Sequence, residues 1–553
     1  MQRPAISLIT LALTGATLLS PAVLLSPAVS GAGQAGEFEV SVLAEGAPFH
    51  GANGLAFDAE DQLHVASVLG NEIAVIDPGT GEMISTVGQL HRVEGPDDVA
   101  FGPDGSLYWT SFSTGEIGRV SPQGERTGQY IAPGVNSITF SDDGRLFVSL
   151  IFMADALYEV DPDLSAPPRL IAEGLGYLNG MDWGPDGYLY GPIWKRGEVA
   201  RIDVSTGDVH TVAGGFAAPA AVKFAPDGSL YVVDKVKGRV SSVDISTGRT
   251  RLIAEMMPGL DNLACDSRGR LFVSHGQDGI VYRVMPDGST WTCCRGGMIA
   301  PGGVAVLPGP EGESVFVADF WTLRQFDADT GEETGTYRHR IGVPGGITLP
   351  FTVSADGENL ILTSWLHGSV VQVVNPENGE VIEEYLDFGE PVNAIRFGKD
   401  IVVADRGSGS LIVIDHSNPE KRDTLATDLA APAGLAARDG DLWVSDAVMG
   451  AVLKVVEDGR VLSPPKPVAR DLANPEGLAL GPGGLLLVAE SDAGRLSGID
   501  PATGEVITVM QGIIPCLQSD HPTWIFNGVA VGPSGIIYVT CDAGNTLYRV
   551  EPR

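Results

Sequence analysis

A phrase of about forty residues recurs twelve times along this 553-residue chain, and that period limits what it can fold into more than any other feature. Each copy runs from a small polar entry into an apolar strand, then a Pro/Ser-Asp-Gly turn, a second strand, and further strands ending near Asp-Pro or Asp-x-Ser-Thr-Gly. The segments Gly95 to Tyr108 and Asn179 to Tyr190 are clear copies, with turns at Pro103-Asp104-Gly105 and Pro185-Asp186-Gly187. Both read as strand, tight turn, strand.

The first apolar residue of each inner strand makes a ruler: Leu55, Val99, Ile138, Met181, Val222, Leu263, Val304, Phe351, Ile395, Leu435, Leu478 and Val529. Most steps are about 39 to 44 residues, the length of one four-stranded propeller blade. A leucine-rich repeat is about half as long, and helical repeats carry a 3.6-residue apolar period that is missing here. The fold class is therefore all-β. One blade parses as strand a from Val222 to Phe224, b from Leu230 to Val233, c from Arg239 to Val243 and d from Thr250 to Ala254.

Twelve blades in one ring would leave a very wide hole, so two tandem six-bladed β-propellers are expected, at residues 37–289 and 290–553. The segment Glu37 to Glu45 reads as a strand d with no blade before it, and the last repeat stops after strand c. This parse closes the first ring with Glu37 to Glu45, completing the blade that ends near Val284. It closes the second with Thr290 to Cys294, completing the blade that ends near Val550. Either arrangement removes exposed sheet edges. No long linker separates the halves, so the rings are expected to touch.

Residues 1–35 read as a signal peptide: Met1-Gln2-Arg3, an apolar run from Ala5 to Leu25, and small residues from Ala28 to Ala35. A secreted or periplasmic protein is expected, without stable membrane insertion once the signal is removed. An uncleaved anchor is the alternative. Seventy acidic against 35 basic side chains leave a net charge of −35, which repels phosphate backbones, so nucleic acid is not an expected partner. The same charge also serves plain solubility.

Five cysteines are too few for a disulfide scaffold and lack zinc spacing. Cys293 and Cys294 form either a vicinal pair or two strand thiols on opposite faces, and strand alternation favours the latter. The last d–a loop is the longest insertion, Gly512 to Ile525, with Cys516, His521 and Trp524. Cys516 and Cys541 fall on one face, and a disulfide between them would clamp a lid over the second channel.

Two residues before each ruler position, strand starts converge on the channel mouth. The first half places Asn53, Asp97, Asn136, Asn179, Ala220 and Asp261 there, the second Gly302, Leu349, Asn393, Ala433, Glu476 and Asn527. Converging carboxylate and amide oxygens suit a hard cation such as Ca²⁺. Asn and Asp also favour strand starts because they bond neighbouring backbone. The b–c loops open on the same face and offer Trp194, Lys195, Arg196, Asp234, Lys235, Lys237 and His275 as substrate-facing groups, or as ordinary solvated charge. His275, beside Asp261 in one blade, is a candidate general base. The second half offers Trp321, Trp365, His367, Arg406, Asp446 and Asp492, a rim suited to sugars, flat ligands or a protein.

The repeat resembles the six-bladed superfamily of NHL-repeat proteins, regucalcin and gluconolactonase, paraoxonase and strictosidine-synthase-like proteins, over nearly the whole mature chain. Leu260 to Asp266, with Asp261 and Asn262, looks like the paraoxonase calcium phrase, and Leu178 to Met181 like the family's Asn-bearing strand start. Pro475 to Leu478 and Phe526 to Val529 are similar to gluconolactonase ligand segments. The resemblance implies a calcium site at Asn53, Asp97, Asn136, Asn179, Asp261 and Asn262, with the ion polarising a lactone or ester carbonyl and Asp261 or His275 activating water. Ala220 and Ala433 depart from the family pattern. A scaffold that binds a protein or glycan is the competing expectation, and strictosidine-synthase-type lyase or condensing chemistry a third. No Walker loop, Gly-x-Ser-x-Gly elbow or His-Glu-x-x-His is present.

Overall fold

The computed structural model describes residues 38–309, 312–339, 345–366, 368–511 and 526–553, so the expected signal peptide at 1–35, His367 and the insertion at 512–525 lie outside the described residues. Among the described residues, forty-eight strands form twelve four-stranded antiparallel sheets. Blade 5 shows how closely the parse holds, with strands Pro219–Phe224, Leu230–Asp234, Arg239–Val243 and Thr250–Glu255. The a–b turns need a left-handed residue, which Gly105 (φ +79°) and Gly187 (φ +80°) supply without a Cβ clash.

Blades 1–6 and 7–12 each close into a ring, and one hydroxyl staple marks the closure. The next-to-last residue of strand b is Ser or Thr in six blades, and in five of them, blade 3 with Ser149 excepted, its hydroxyl donates to the carbonyl at the inner-strand start of the next blade. Thr363 reaches Val392 O at 3.0 Å and Ser445 reaches Glu476 O at 2.5 Å. The same bond joins Ser274 of blade 6 to Asn53 O of blade 1 at 2.7 Å, and Thr540 of blade 12 to Gly302 O of blade 7. Between blades lie apolar layers, such as Ala66, Ile73, Val93, Val99, Leu107 and Trp109 between blades 1 and 2.

The end strands pair differently from the sequence parse. Phe38–Glu45 pairs with Thr546–Pro552, Val40 opposite Val550, and so completes blade 12 of the second ring. Thr290–Cys294 stays on Ile280–Val284 as the outer strand of blade 6. The first ring therefore closes with no shared strand, and Phe38–Glu45 belongs to the second ring. A tight turn, with Met285 N donating to Ser289 O at 2.8 Å, ties Thr290–Cys294 to Ile280–Val284, which leaves the free edge of blade 12 to Phe38–Glu45.

The rings touch through the faces that carry strand-a starts and b–c loops. Gly46 N donates to Asn545 O at 2.6 Å, Ala47 N to Met298 O at 2.8 Å, and His50 Nε2 to Asp542 O at 2.8 Å. Ala47, Leu69, Ile299, Ala300, Phe320, Leu349 and Phe351 form one apolar cluster across the junction. Among the described residues no helix is long and apolar enough to cross a membrane.

Candidate functional site

Asn53, Asp97, Asn136 and Asp261 meet at inner-strand starts of the first ring, and Asn179 holds the corresponding place in blade 4. Their bonds are not those of an oxygen cage. Asn53 Nδ2 donates to Asp97 Oδ1 at 2.9 Å, and Asn136 Nδ2 donates to Asp97 Oδ2. Asn179 Oδ1 accepts from Gly180 N at 2.9 Å. Asn262 lies one layer deeper, donating to Asp98 at 3.0 Å while its own oxygen accepts from Leu263 N. Burial, reinforced by the charges of Asp261 and Asp98, holds the Asp97 carboxyl well above the usual carboxylate range.

Lys235 supplies the cation at this mouth. Its Nζ lies 2.8 Å from Asp261 Oδ2, with 17% and 20% of the two side chains exposed. It arrives from the b–c loop of blade 5, the blade whose strand start is Ala220. With two amide nitrogens turned on Asp97 and an ammonium on Asp261, the mouth does not present the six to eight oxygens that Ca²⁺ takes. Among the described residues no three His, Cys, Asp or Glu side chains converge as a metal site.

The general-base role for His275 does not fit its surroundings. The imidazole is fully buried, Nε2 donates to Pro258 O at 2.8 Å, Nδ1 lies 3.5 Å from Asp278, and burial lowers its pKa. Asp234 likewise turns inward, accepting from Ala217 N at 2.7 Å and Ala218 N at 3.2 Å. Asp446 makes the same loop cap with Ala430 N and Ala431 N, at 2.8 and 3.0 Å.

Trp194, Lys195 and Arg196 form a single 3-10 turn in the b–c loop of blade 4. The Lys195 ammonium rests 3.6 Å above the Tyr177 ring, and Arg196 faces Glu198 at 3.4 Å. A row of rings that the sequence reading missed stands beside this turn. Phe152 meets Phe112, Tyr177 and Trp194 edge-on, with centroids 6.3, 5.3 and 6.1 Å away. Phe152 is 47% exposed at φ +60°, and Phe112 O accepts from Gly134 N, two residues before Asn136. An aromatic at the end of strand b in blades 2 and 3 is the signal that could have found them.

The second mouth is closed by its own contacts. Glu476 Oε2 accepts from Asn527 N and Nδ2 at 2.8 and 2.9 Å, and burial pushes Glu476 up to about 7. Asn393 accepts from Leu435 N at 3.1 Å and donates to Ser354 Oγ at 3.1 Å. Val392, Ala433 and Phe526 pack together there under Trp365. Trp365 also stacks on Phe351, centroids 4.1 Å apart, and Trp321 packs on Phe320, so these rings serve the junction between rings rather than an open rim. Cys541 ends a buried strand b, and Cys516 and Trp524 lie outside the described residues. A cavity of about 520 Å³ opens at the outer junction near Leu43, Arg295 and Glu333, away from either mouth.

Two closed six-bladed rings with polar strand starts at the mouth define a β-propeller protein. Within it, residues 191–318 match the family model described as SMP-30/Gluconolactonase/LRE-like region, a stretch that contains Lys235 and Asp261. No curated protein matches the chain. Similar solved structures include a streptogramin B lyase, 18% identical, covering 51% of this chain and 95% of its own, TM-score 0.38. A gluconolactonase from Xanthomonas campestris is 18% identical, covering 44% and 88%, TM-score 0.34. An extracellular domain from B. thetaiotaomicron is 12% identical, covering 93% and 83%, TM-score 0.32.

Proposed function

We propose that the first ring binds a small polyhydroxylated carbonyl compound, a sugar lactone or the corresponding sugar acid, and does so without calcium. The observation that carries this reading is the Lys235–Asp261 pair, 2.8 Å apart and partly open to solvent, at a mouth whose other strand starts supply the Asp97 carboxyl and the amides of Asn53, Asn136 and Asn179. Alternating donors and acceptors match hydroxyl groups, an ammonium matches a carbonyl or carboxylate oxygen, and the neighbouring rings offer apolar faces. On this reading the second ring braces the first, and the protein is exported by residues 1–35. On the same reading a Cys516–Cys541 disulfide clamps a lid over the second channel.

Hydrolysis of the bound lactone is a second reading, favoured by the family match over residues 191–318. The Lys235 ammonium would polarise the carbonyl while Asp261 takes a proton from water. The water oxygen bonds to the carbonyl carbon, the ring ester bond breaks, and the proton passes to the departing alkoxide.

Calorimetric titration of the mature protein with gluconolactone, gluconate and glucose, with and without chelator, tests the binding. Chelator-insensitive binding is expected. No heat from any of the three at millimolar concentration would remove the proposal, and a pH-stat assay decides whether turnover follows binding.

A further inference from the structure

Strand d of successive blades carries a bulge at one place. Ile171 is left out between the pairs Leu157–Ala172 and Tyr158–Leu170, Val212 between Val199–Ala213 and Ala200–Thr211, and Ile253 between Val240–Ala254 and Ser241–Leu252. A bulge suspends the alternation of a strand, so the bulged residue and its successor both face the neighbouring blade. Ile171 and Ala172, Val212 and Ala213, and Ile253 and Ala254 each enter one apolar cluster together.

In blade 6 the same place holds two thiols. Tyr282 pairs with Thr292 and Val281 with Cys294, leaving Cys293 as the bulged residue. Cys293 and Cys294 therefore share a cluster with Leu55, Leu63 and Ile76 of blade 1, instead of pointing to opposite faces. They are 6% and 2% exposed, and the neighbouring Cys294 thiol holds the Cys293 thiol below its ordinary pKa. Their sulfurs reach toward Pro78 O at 3.9 Å and Gly81 O at 4.0 Å on blade 1. This is the seam where the first ring closes without a shared strand.

We propose that Cys293 and Cys294 are a redox-active vicinal dithiol, oxidised by a low-molecular-weight disulfide, that sets the tightness of the first ring's closing seam. The Cys293 thiolate attacks one sulfur of the oxidant and expels a thiolate, giving a mixed disulfide. Cys294 then attacks the Cys293 sulfur and expels the second thiolate, its proton passing to that leaving group. Two protein thiols become one disulfide and the oxidant becomes two thiols. Drawing the sulfurs to about 2.0 Å turns them from the blade 1 carbonyls, so the oxidised seam is the looser one.

The full-length protein, incubated natively with glutathione disulfide, is quenched in acid, unfolded, alkylated with iodoacetamide and digested with trypsin. Peptide 284–295 is expected two hydrogens lighter than its reduced form and unalkylated, with dithiothreitol restoring double alkylation and Cys265 alkylated throughout. Double alkylation after oxidant, a terminal glutathione adduct, or pairing with Cys265 overturns the proposal. The double substitution Cys293→Ile and Cys294→Ala copies the Ile-Ala pair of blades 3 and 5 and should fold. Its melting should ignore an oxidant that lowers the wild-type melting temperature, and an equal shift in both proteins also overturns the proposal.

Discussion

The Arg324 guanidinium of the second ring donates to the Asp278 carboxylate of the first at 2.7 Å, with both side chains almost entirely out of water. The same guanidinium reaches Asp319 at 2.7 Å and Glu333 at 3.1 Å, while Arg338 takes the other Asp278 oxygen at 2.8 Å. Asp278 sits in the b–c loop that follows His275, so a buried charge cluster fixes the second ring against the blade that carries Asp261.

Removing that cation should be expensive. Arg324→Ala leaves Asp319 and Asp278 short of their main partner, a loss of about 3–5 kcal/mol for a buried pair. Urea unfolding of variant and wild type measures it. A difference below about 1 kcal/mol, the size of an exposed ion pair, would show that water reaches the cluster.

The strand exchange predicts which pieces fold alone. Residues 46–297 contain all four strands of blades 1–6 and should form a ring by themselves. Residues 298–553 lack the outer strand of blade 12, so a bare edge should drive self-association. Appending residues 38–45 after Arg553 through a short linker should restore a monomer, as read by size exclusion and light scattering. A monomeric 298–553 without the added strand would contradict this.

Glu72 sets a pH dependence. Burial raises its carboxyl from the ordinary 4.5 to about 7 in the folded protein, so the folded state holds this proton more tightly than the unfolded chain. Its contribution is most favourable below pH 4.5, falls as pH rises toward 7, and is constant above. Glu72→Gln should remove that fall and gain roughly 1–3 kcal/mol over wild type at pH 8 relative to pH 4. Unfolding curves at both pH values check the difference, and equal differences would contradict it.

Lys235 should decide the metal response of the first mouth. Wild-type melting is expected to be the same in calcium and in chelator. Lys235→Ala uncovers Asp261 beside Asp97 and should acquire a calcium-dependent rise in melting temperature. It should also weaken sugar-lactone binding at least about tenfold, the loss of one charge-assisted hydrogen bond. A wild-type protein that already melts higher in calcium would reverse this reading.

Much of the mouth could be read from the chain, but not its bonding. Asn53, Asp97, Asn136, Asn179 and Asp261 follow from the position two residues before each ruler residue. What they bind depends on side chains from other blades, and Lys235 lies 26 residues from the carboxylate it neutralises. His275 looked catalytic because sequence places it after Asp261 but does not show that Pro258 and Asp278 enclose it. Cys293 and Cys294 looked like opposite-facing thiols because the bulge that turns them together is a property of the pairing with Val281 and Tyr282.

The sequence by itself determined the repeat, the blade and the division into two rings of six, because alternating apolar strands and Asp-Gly turns are local signals repeated twelve times. Only the tertiary structure decided which ring receives Phe38–Glu45, which faces meet, and that an ammonium completes the first mouth. Strand edges are chemically alike, so their partner depends on where distant blades lie, and a carboxylate's partner is set by distance in space rather than along the chain.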